Sequence, residues 1–151
     1  MKLSINTDDR YTETEITVNC NHVNDDVEKL IAAIRMLDMK LTGRKDGQQF
    51  IIDIAQIIYI ESTDKRTFFY TSTGVYESTY RLYELEEKLA GQDFLRASKN
   101  CLFNITHILS LKSDLEQRLT LTMEGDIKIV VSRQYSNAVK ERLEACHGKR
   151  T

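Results

Sequence analysis

The 151-residue sequence contains no proline. Every reversal of the chain must therefore be made by Gly, Asn, Asp or Ser, and no slow prolyl isomerisation can limit folding. No apolar run approaches the roughly 20 residues that a membrane-spanning helix needs. The start, Met1 to Asp9, lacks the apolar centre of a secretory signal, so the expected location is the cytoplasm. The cysteines, Cys20, Cys101 and Cys146, are far apart and without CxxC spacing. They read as reduced thiols, not as a disulfide frame or a zinc site. GxGxxG, Walker-type, HExxH and GxSxG sequences are missing. Single glycines at 43, 47, 74, 91, 125 and 148 read as turn residues, not as a phosphate cradle. None of the histidines, His22, His107 and His147, has a carboxylate and a nucleophile at recognisable spacing, and His107 reads as part of a short surface turn. The expectation is a protein that is not an enzyme, with no cofactor, no metal and no small-molecule substrate.

What is present is an ordinary globular composition, of a length that makes one domain, or one with an appendage. The net charge of −2 argues against a general coat for nucleic acid. The charge is uneven, however. Residues 1–30 hold three basic and seven acidic residues, and residues 31–151 hold eighteen and sixteen. A nucleic-acid surface would have to be a local patch.

Residues 1–38 read as a strand-helix extension. Lys2–Asn6 and Glu15–Cys20 are short strand candidates, the second from the alternation of Ile16 and Val18 with Thr17 and Asn19. Asn24 to Asp38 is a helix, capped by Asn24 and begun by Asp25 and Asp26. Its apolar face is Val27, Leu30, Ile31, Ile34 and Leu37, which packs on the main domain or, in the sharper reading, against a second copy.

From Met39 strands dominate. Asp46-Gly47 joins Lys40–Arg44 to Gln48–Asp53. Ile57–Ser62 is nearly all apolar and should be central. Arg66–Ser72 and Val75–Thr79 form the next hairpin. A helix over residues 80–90 follows. Later strands are Leu109–Ser113, Gln117–Met123 and Asp126–Val131, and Ser132 begins a final helix that buries Tyr135, Val139 and Leu143. Residues 39–146 thus read as one mainly β domain with peripheral helices, built of antiparallel hairpins and small sheets, and 147–151 as a frayed tail.

Three places collect basic and hydrogen-bonding residues. They are Lys65-Arg66-Thr67 at a hairpin tip, Arg96 to Asn100 between Phe94-Leu95 and Leu102-Phe103, and Ser132-Arg133-Gln134 at the start of the last helix. The second reads as a polar loop displayed between two buried ends. Lys and Arg neutralise phosphates, and Arg can pair two-pronged with guanine. A helix start can hold a phosphate oxygen. Each place alone also reads as solvated surface charge.

The order Phe94-x-Arg96-x-Ser98-x-Asn100-x-x-x-Asn104 resembles the phrase Phe-x-Arg-x-His-x-Ser-x-x-x-Asn of the LytTR family of bacterial DNA-binding domains. Ser98 and Asn100 depart from it. The resemblance runs from about Met39 to Leu143 and includes Ile-Tyr-Ile-Glu-Ser62, the helix Leu82–Leu89 and Val131-Ser-Arg133-x-Tyr135. It implies a mostly antiparallel β-fold that puts loops, not a recognition helix, into successive major grooves. It further implies a transcriptional regulator acting on a repeat-containing promoter site. Carried over by position, Lys65, Arg66 and Thr67 would read bases from the first loop, and Lys99 and Asn100 from the second. Arg133, beside Ser132, would be the strongest determinant, and Arg96 would brace the loop or touch phosphate. Double-stranded DNA is the implied partner. A homodimer and a restraining membrane protein are further partners of stand-alone members, which this chain resembles in having no receiver domain ahead of the match. The other reading is a protein-interaction module of the same fold that has lost DNA binding, suggested by the acidic first thirty residues and the changes at Ser98 and Asn100.

Overall fold

The computed structural model describes residues 1–116 and 118–147, and for residues 36–38 and 145–147 the backbone alone. Along the described chain come α1 (Asp25–Asp38), β1 (Lys40–Lys45), β2 (Gln48–Asp53), β3 (Ile57–Thr63), β4 (Arg66–Thr71) and β5 (Gly74–Ser78). They are followed by α2 (Leu82–Lys88), β6 (Phe94–Ser98), β7 (Cys101–Asn104), β8 (Ile108–Ser113), β9 (Leu119–Met123), β10 (Ile127–Val131) and α3 (Arg133–His147). Single 3-10 turns at Ile54–Gln56 and Ile105–His107 lead into β3 and β8. The architecture is mainly β with peripheral helices, as the strand pattern implied. Every pairing is antiparallel, in a sheet ordered β2-β1-β5-β4-β3-β7-β6 and a smaller one ordered β10-β9-β8.

Turn chemistry sets the hairpins. Asp46 and Gly47 both have positive φ, 52° and 76°, the twist that suits a two-residue hairpin turn. Asp64 and Lys65, at 51° and 65°, make the same turn between β3 and β4 without glycine. β3 lies between β4 and β7 and is buried on both faces, which explains its apolar run. A bulge at Ile58 shifts its register, so that Ile57 faces Thr71 while Tyr59 faces Tyr70. Consecutive residues Ile57 and Ile58 enter different cores by the ordinary alternation of a strand, and the bulge turns Tyr59 to the side of Ile58. The first core packs Ile57, Ile60, Phe69 and Leu102 against Leu82, Leu85 and Leu89 of α2 and its end. The second packs Ile58, Phe103 and Ala97 against Leu119, Leu121 and Val131 of the small sheet and Val139 and Leu143 of α3. Each such side chain contributes about 1.5–3 kcal/mol over its exposed state. The large sheet is thus held from both sides, and its strand ends are fixed.

Polar groups lock one end of β3 and β7. Asn104, wholly buried, donates Nδ2 to the Ile57 carbonyl at 2.9 Å. Its Oδ1 accepts from the Thr106 amide at 3.0 Å and the Thr106 hydroxyl at 2.7 Å. His107 sets Nε2 2.6 Å from the Ala55 carbonyl and Nδ1 2.7 Å from Glu124 Oε2. Arg142 of α3 meets Asp93 at 3.0 Å.

Several expectations are corrected. α1 forms, with Asn24 Oδ1 accepting from the Val27 amide at 3.0 Å. The strands expected at Lys2–Asn6 and Glu15–Cys20 do not form. A strand without a ladder partner has nowhere to place its backbone hydrogen bonds, and a lone hairpin is marginal in water. Arg96 to Asn100 is not a long loop, because β6 continues through Ser98 and only Lys99-Asn100 turns the chain. The pairing of Arg96 with Leu102 and of Ser98 with Cys101 satisfies a backbone whose polar side chains suggested a loop. Gly43 is not a turn residue either. It lies within β1, where a Cβ would come 2.7 Å from both Ile52 Cδ1 and Tyr76 Cβ, so glycine permits close packing there. Gln117, expected to open β9, and residues 148–151 of the expected tail lie outside the described residues.

Candidate nucleic-acid interface

β7 runs antiparallel beside β3, which brings the β6–β7 turn next to the β3–β4 turn. The Ser62 amide donates to the Asn100 carbonyl at 2.8 Å and joins the two. On the other side of the hairpin a second bulge, at Ala97, turns a carbonyl outward. That carbonyl accepts from the Ser132 amide at 2.8 Å, which seats the start of α3 against the end of β6. The three basic places therefore adjoin in the order Lys65, Lys99-Asn100, Ser132-Arg133 along one end of the scaffold. The β8–β9 connection reaches the same end, where Glu116 Oε2 lies 3.6 Å from Arg133 and 3.7 Å from Arg118.

The side chains divide into free and engaged. Lys65, Lys99 and Asn100 are exposed, and neither lysine has an ion pair among the described residues. Arg133 keeps two thirds of its side chain in solvent beside an equally exposed Glu116. Arg66, by contrast, is held two-pronged by Glu77 of β5, at 3.0 Å and 2.7 Å, and lies 5.3 Å from the Phe68 ring. The guanidinium holds the Glu77 carboxyl below its usual range, chiefly through these hydrogen bonds. Arg96 is mostly buried. Its Nε donates to Glu86 at 2.7 Å and another nitrogen donates to the Lys99 carbonyl, so it braces the β6–β7 turn against α2. Thr67 is buried beneath the β3–β4 turn, and Ser132 is half-buried.

Two open clefts separate these projections. The first, about 600 Å³, lies between the β3–β4 and β6–β7 turns and is lined by Lys65, Thr67, Arg81, Tyr83, Lys99 and Asn100, among others. The second, about 310 Å³, lies between the β6–β7 turn and β10 and includes Glu61, Ser98, Asn100 and Lys128. Tyr59 borders it and stacks on Tyr70 at 4.2 Å. Burial, with Tyr70 and Glu61 beside it, pushes the Tyr59 hydroxyl up to about 12. Burial also pushes the Cys101 thiol up to about 12, so it stays neutral and acts as a small apolar side chain.

Sequence reasoning missed Arg81, Tyr83 and Lys128 as residues of this surface. Arg81 carried a signal. A cation at a helix start opposes the helix dipole and calls for another reason to be there. Tyr83 and Lys128 sit at unremarkable helix and strand positions. Chemically, the surface offers separated cations, an amide and shallow grooves, which suits a large polyanion better than an enclosed substrate. Among the described residues, no group of three or more His, Cys, Asp or Glu side chains is arranged to hold a metal ion. No described helix is long and apolar enough to cross a membrane.

Comparison with known proteins gives a consistent result. The LytTr DNA-binding domain family matches residues 47–144. Two proteins of Staphylococcus aureus, from strains NCTC 8325 / PS 47 and COL, bear the name uncharacterized HTH-type transcriptional regulator. Each is 30% identical over 145 residues, covering 95% of this chain and 98% of the relative. A solved LytTr DNA-binding domain from Bacillus cereus superposes with a TM-score of 0.66 at 22% identity, covering 69% of this chain and 95% of that one. The helix-turn-helix in the relatives' name has no counterpart among the described residues, because β-strands separate each helix from the next.

Proposed function

Since the chain belongs to the LytTR family of DNA-binding domains, we propose that it is a sequence-specific transcriptional regulator that reads duplex DNA with hairpin turns. The observation that carries this reading is the pair of backbone hydrogen bonds, Ser62 to Asn100 and Ala97 to Ser132, which fixes three basic places side by side. A major groove about 12 Å wide admits a two-stranded ribbon. The β3–β4 and β6–β7 turns are such ribbons, and the clefts beside them leave room for the phosphate walls. Lys65 and Lys99 neutralise phosphates. Arg133 pairs with guanine and Asn100 with adenine, each two-pronged. Arg66 and Arg96 hold the turns in shape, Thr67 supports the first from beneath, and Ser132 anchors the start of α3. The site would be a promoter element with repeated half-sites, and the regulator would work in the cytoplasm.

Selection from random duplexes, followed by gel retardation across a salt series, tests the reading. One sequence family should emerge, with affinity falling steeply as salt rises. Arg133→Ala should weaken binding to the selected duplex by about 1–3 kcal/mol and relax the preference at one position, while thermal melting is unchanged. No enrichment would favour the interaction-module reading. Parent-like binding by Arg133→Ala would remove that residue from the interface.

A further inference from the structure

The larger cleft has three walls, and the proposed DNA contacts use two of them. The β3–β4 turn brings Lys65, the β6–β7 turn brings Lys99, and the start of α2 brings Arg81 and Tyr83. The chain arrives there because Ser78, at the end of β5, pairs with Thr67 at the base of the β3–β4 turn. The Tyr80 amide then donates to Ser78 Oγ at 2.9 Å. Tyr80 and Leu82 pack on the first core, one on each side of Arg81, and Arg81 itself stays exposed. α2 is also tied to the second turn. Glu86 holds Arg96, and Arg96 donates to the Lys99 carbonyl. The third wall is therefore placed as firmly as the two turns.

Arg81 is out of keeping with its local position. Asn, Asp or Ser usually precedes a helix, and a cation there opposes the helix dipole. Glu84 Oε1 accepts from the Arg81 amide at 3.1 Å, which serves the helix start without the guanidinium. Arg66 and Arg96 nearby are claimed by Glu77 and Glu86, whereas the Arg81 guanidinium has no ion pair among the described residues. Tyr83 is 59% exposed on the same wall.

We propose that Arg81 and Tyr83 are a third grip on DNA, one that holds a backbone phosphate in this cleft and does not read sequence. The inference rests on the DNA-binding reading and extends it to α2. Lys65, Arg81 and Lys99 bring positive charge from three sides, against Glu61 and Asp64 as the acids of the lining. A guanidinium fork matches two phosphate oxygens, and a tyrosine hydroxyl is an ordinary donor to the same group. α2 has only seven residues, so the contact rests on these side chains and not on the helix amides. Phosphate contacts fix position and carry no base information. Arg81 thus differs from Arg133: it strengthens the hold on any duplex.

Gel retardation of the full chain tests this, with the selected duplex and a scrambled one. Arg81→Ala should lower the slope of log affinity against log salt by about 0.9. It should weaken both duplexes by the same factor, so that their ratio stays as in the parent. Arg81→Lys keeps the charge and should keep the slope. Tyr83→Phe should weaken both duplexes equally, by a smaller factor. Lys88→Ala removes one charge from the other end of α2, outside the cleft, and should leave the slope unchanged. Replacing the phosphates one at a time by uncharged methylphosphonates should reveal one linkage that matters to the parent and not to Arg81→Ala. A parent-like slope in Arg81→Ala, or a loss confined to the selected duplex, overturns the inference and leaves the DNA-binding reading standing. A parent that retards no duplex ends both.

Discussion

Strands β3 and β7 have two unlike ends. Where β3 begins and β7 finishes, Asn104, His107 and Asp93 each find a partner in a different element, and one wholly buried amide serves both strands. Where β3 finishes and β7 begins, Lys65, Lys99 and Arg133 extend into solvent. The same pair of strands therefore has a closed end that gives position and an open end that offers charge. The lesson is that a polar residue's role follows from what its partners have already claimed. Arg66 and Lys65 are neighbours, yet one is held by Glu77 and the other is free.

The sharpest way to break this contrast is at the closed end. Asn104→Ala leaves the Ile57 carbonyl and the Thr106 amide without their partner and should cost about 2–3 kcal/mol of stability, read as a lower urea midpoint. At low temperature, where the variant is folded, its affinity for the selected duplex should stay within about twofold of the parent, since each tenfold is 1.4 kcal/mol. Lost affinity with full stability would erase the distinction between the ends. At the open end the effects are smaller and electrostatic. Lys65→Ala and Lys99→Ala should each lower the slope of log affinity against log salt by about 0.9, with melting unchanged. Arg66→Ala should change that slope less than Lys65→Ala. The reverse order would mean that Arg66 leaves Glu77 to meet DNA.

The smallest effect concerns pH. Arg66 depresses the Glu77 carboxyl in the fold, so the pair's contribution is complete above the ordinary glutamate value of 4.5. It fades as pH falls through the lowered value. Glu77→Gln should therefore melt lower than the parent at neutral pH, and the two curves should converge in acid. Parallel curves down to low pH would show that the pair adds nothing.

Much of the β-domain was legible because its hairpins are written locally. Asp46-Gly47 and the apolar run of β3 each carry their own instruction. The arm was misread because alternation shows that a strand could form but not whether a partner lies within reach. The loop at Arg96 was misread because side-chain polarity hides a backbone already paired in β6 and β7. Of the candidate site, the three basic places were legible and their adjacency was not, since it depends on the contact of Asn100 with Ser62, far apart in sequence. The same holds for the engaged state of Arg66 and Arg96: their acids, Glu77 and Glu86, lie ten or eleven residues away and meet them only across neighbouring elements.

The corner at Asp64-Lys65 has a last consequence. Lys65 adopts φ +65°, a conformation open to glycine but costing an ordinary residue about 1–2 kcal/mol. A sturdier hairpin is thus one substitution away, and that substitution would blunt its tip. If Lys65 meets DNA as proposed, stability would favour glycine at this position and contact with a polyanion would favour lysine.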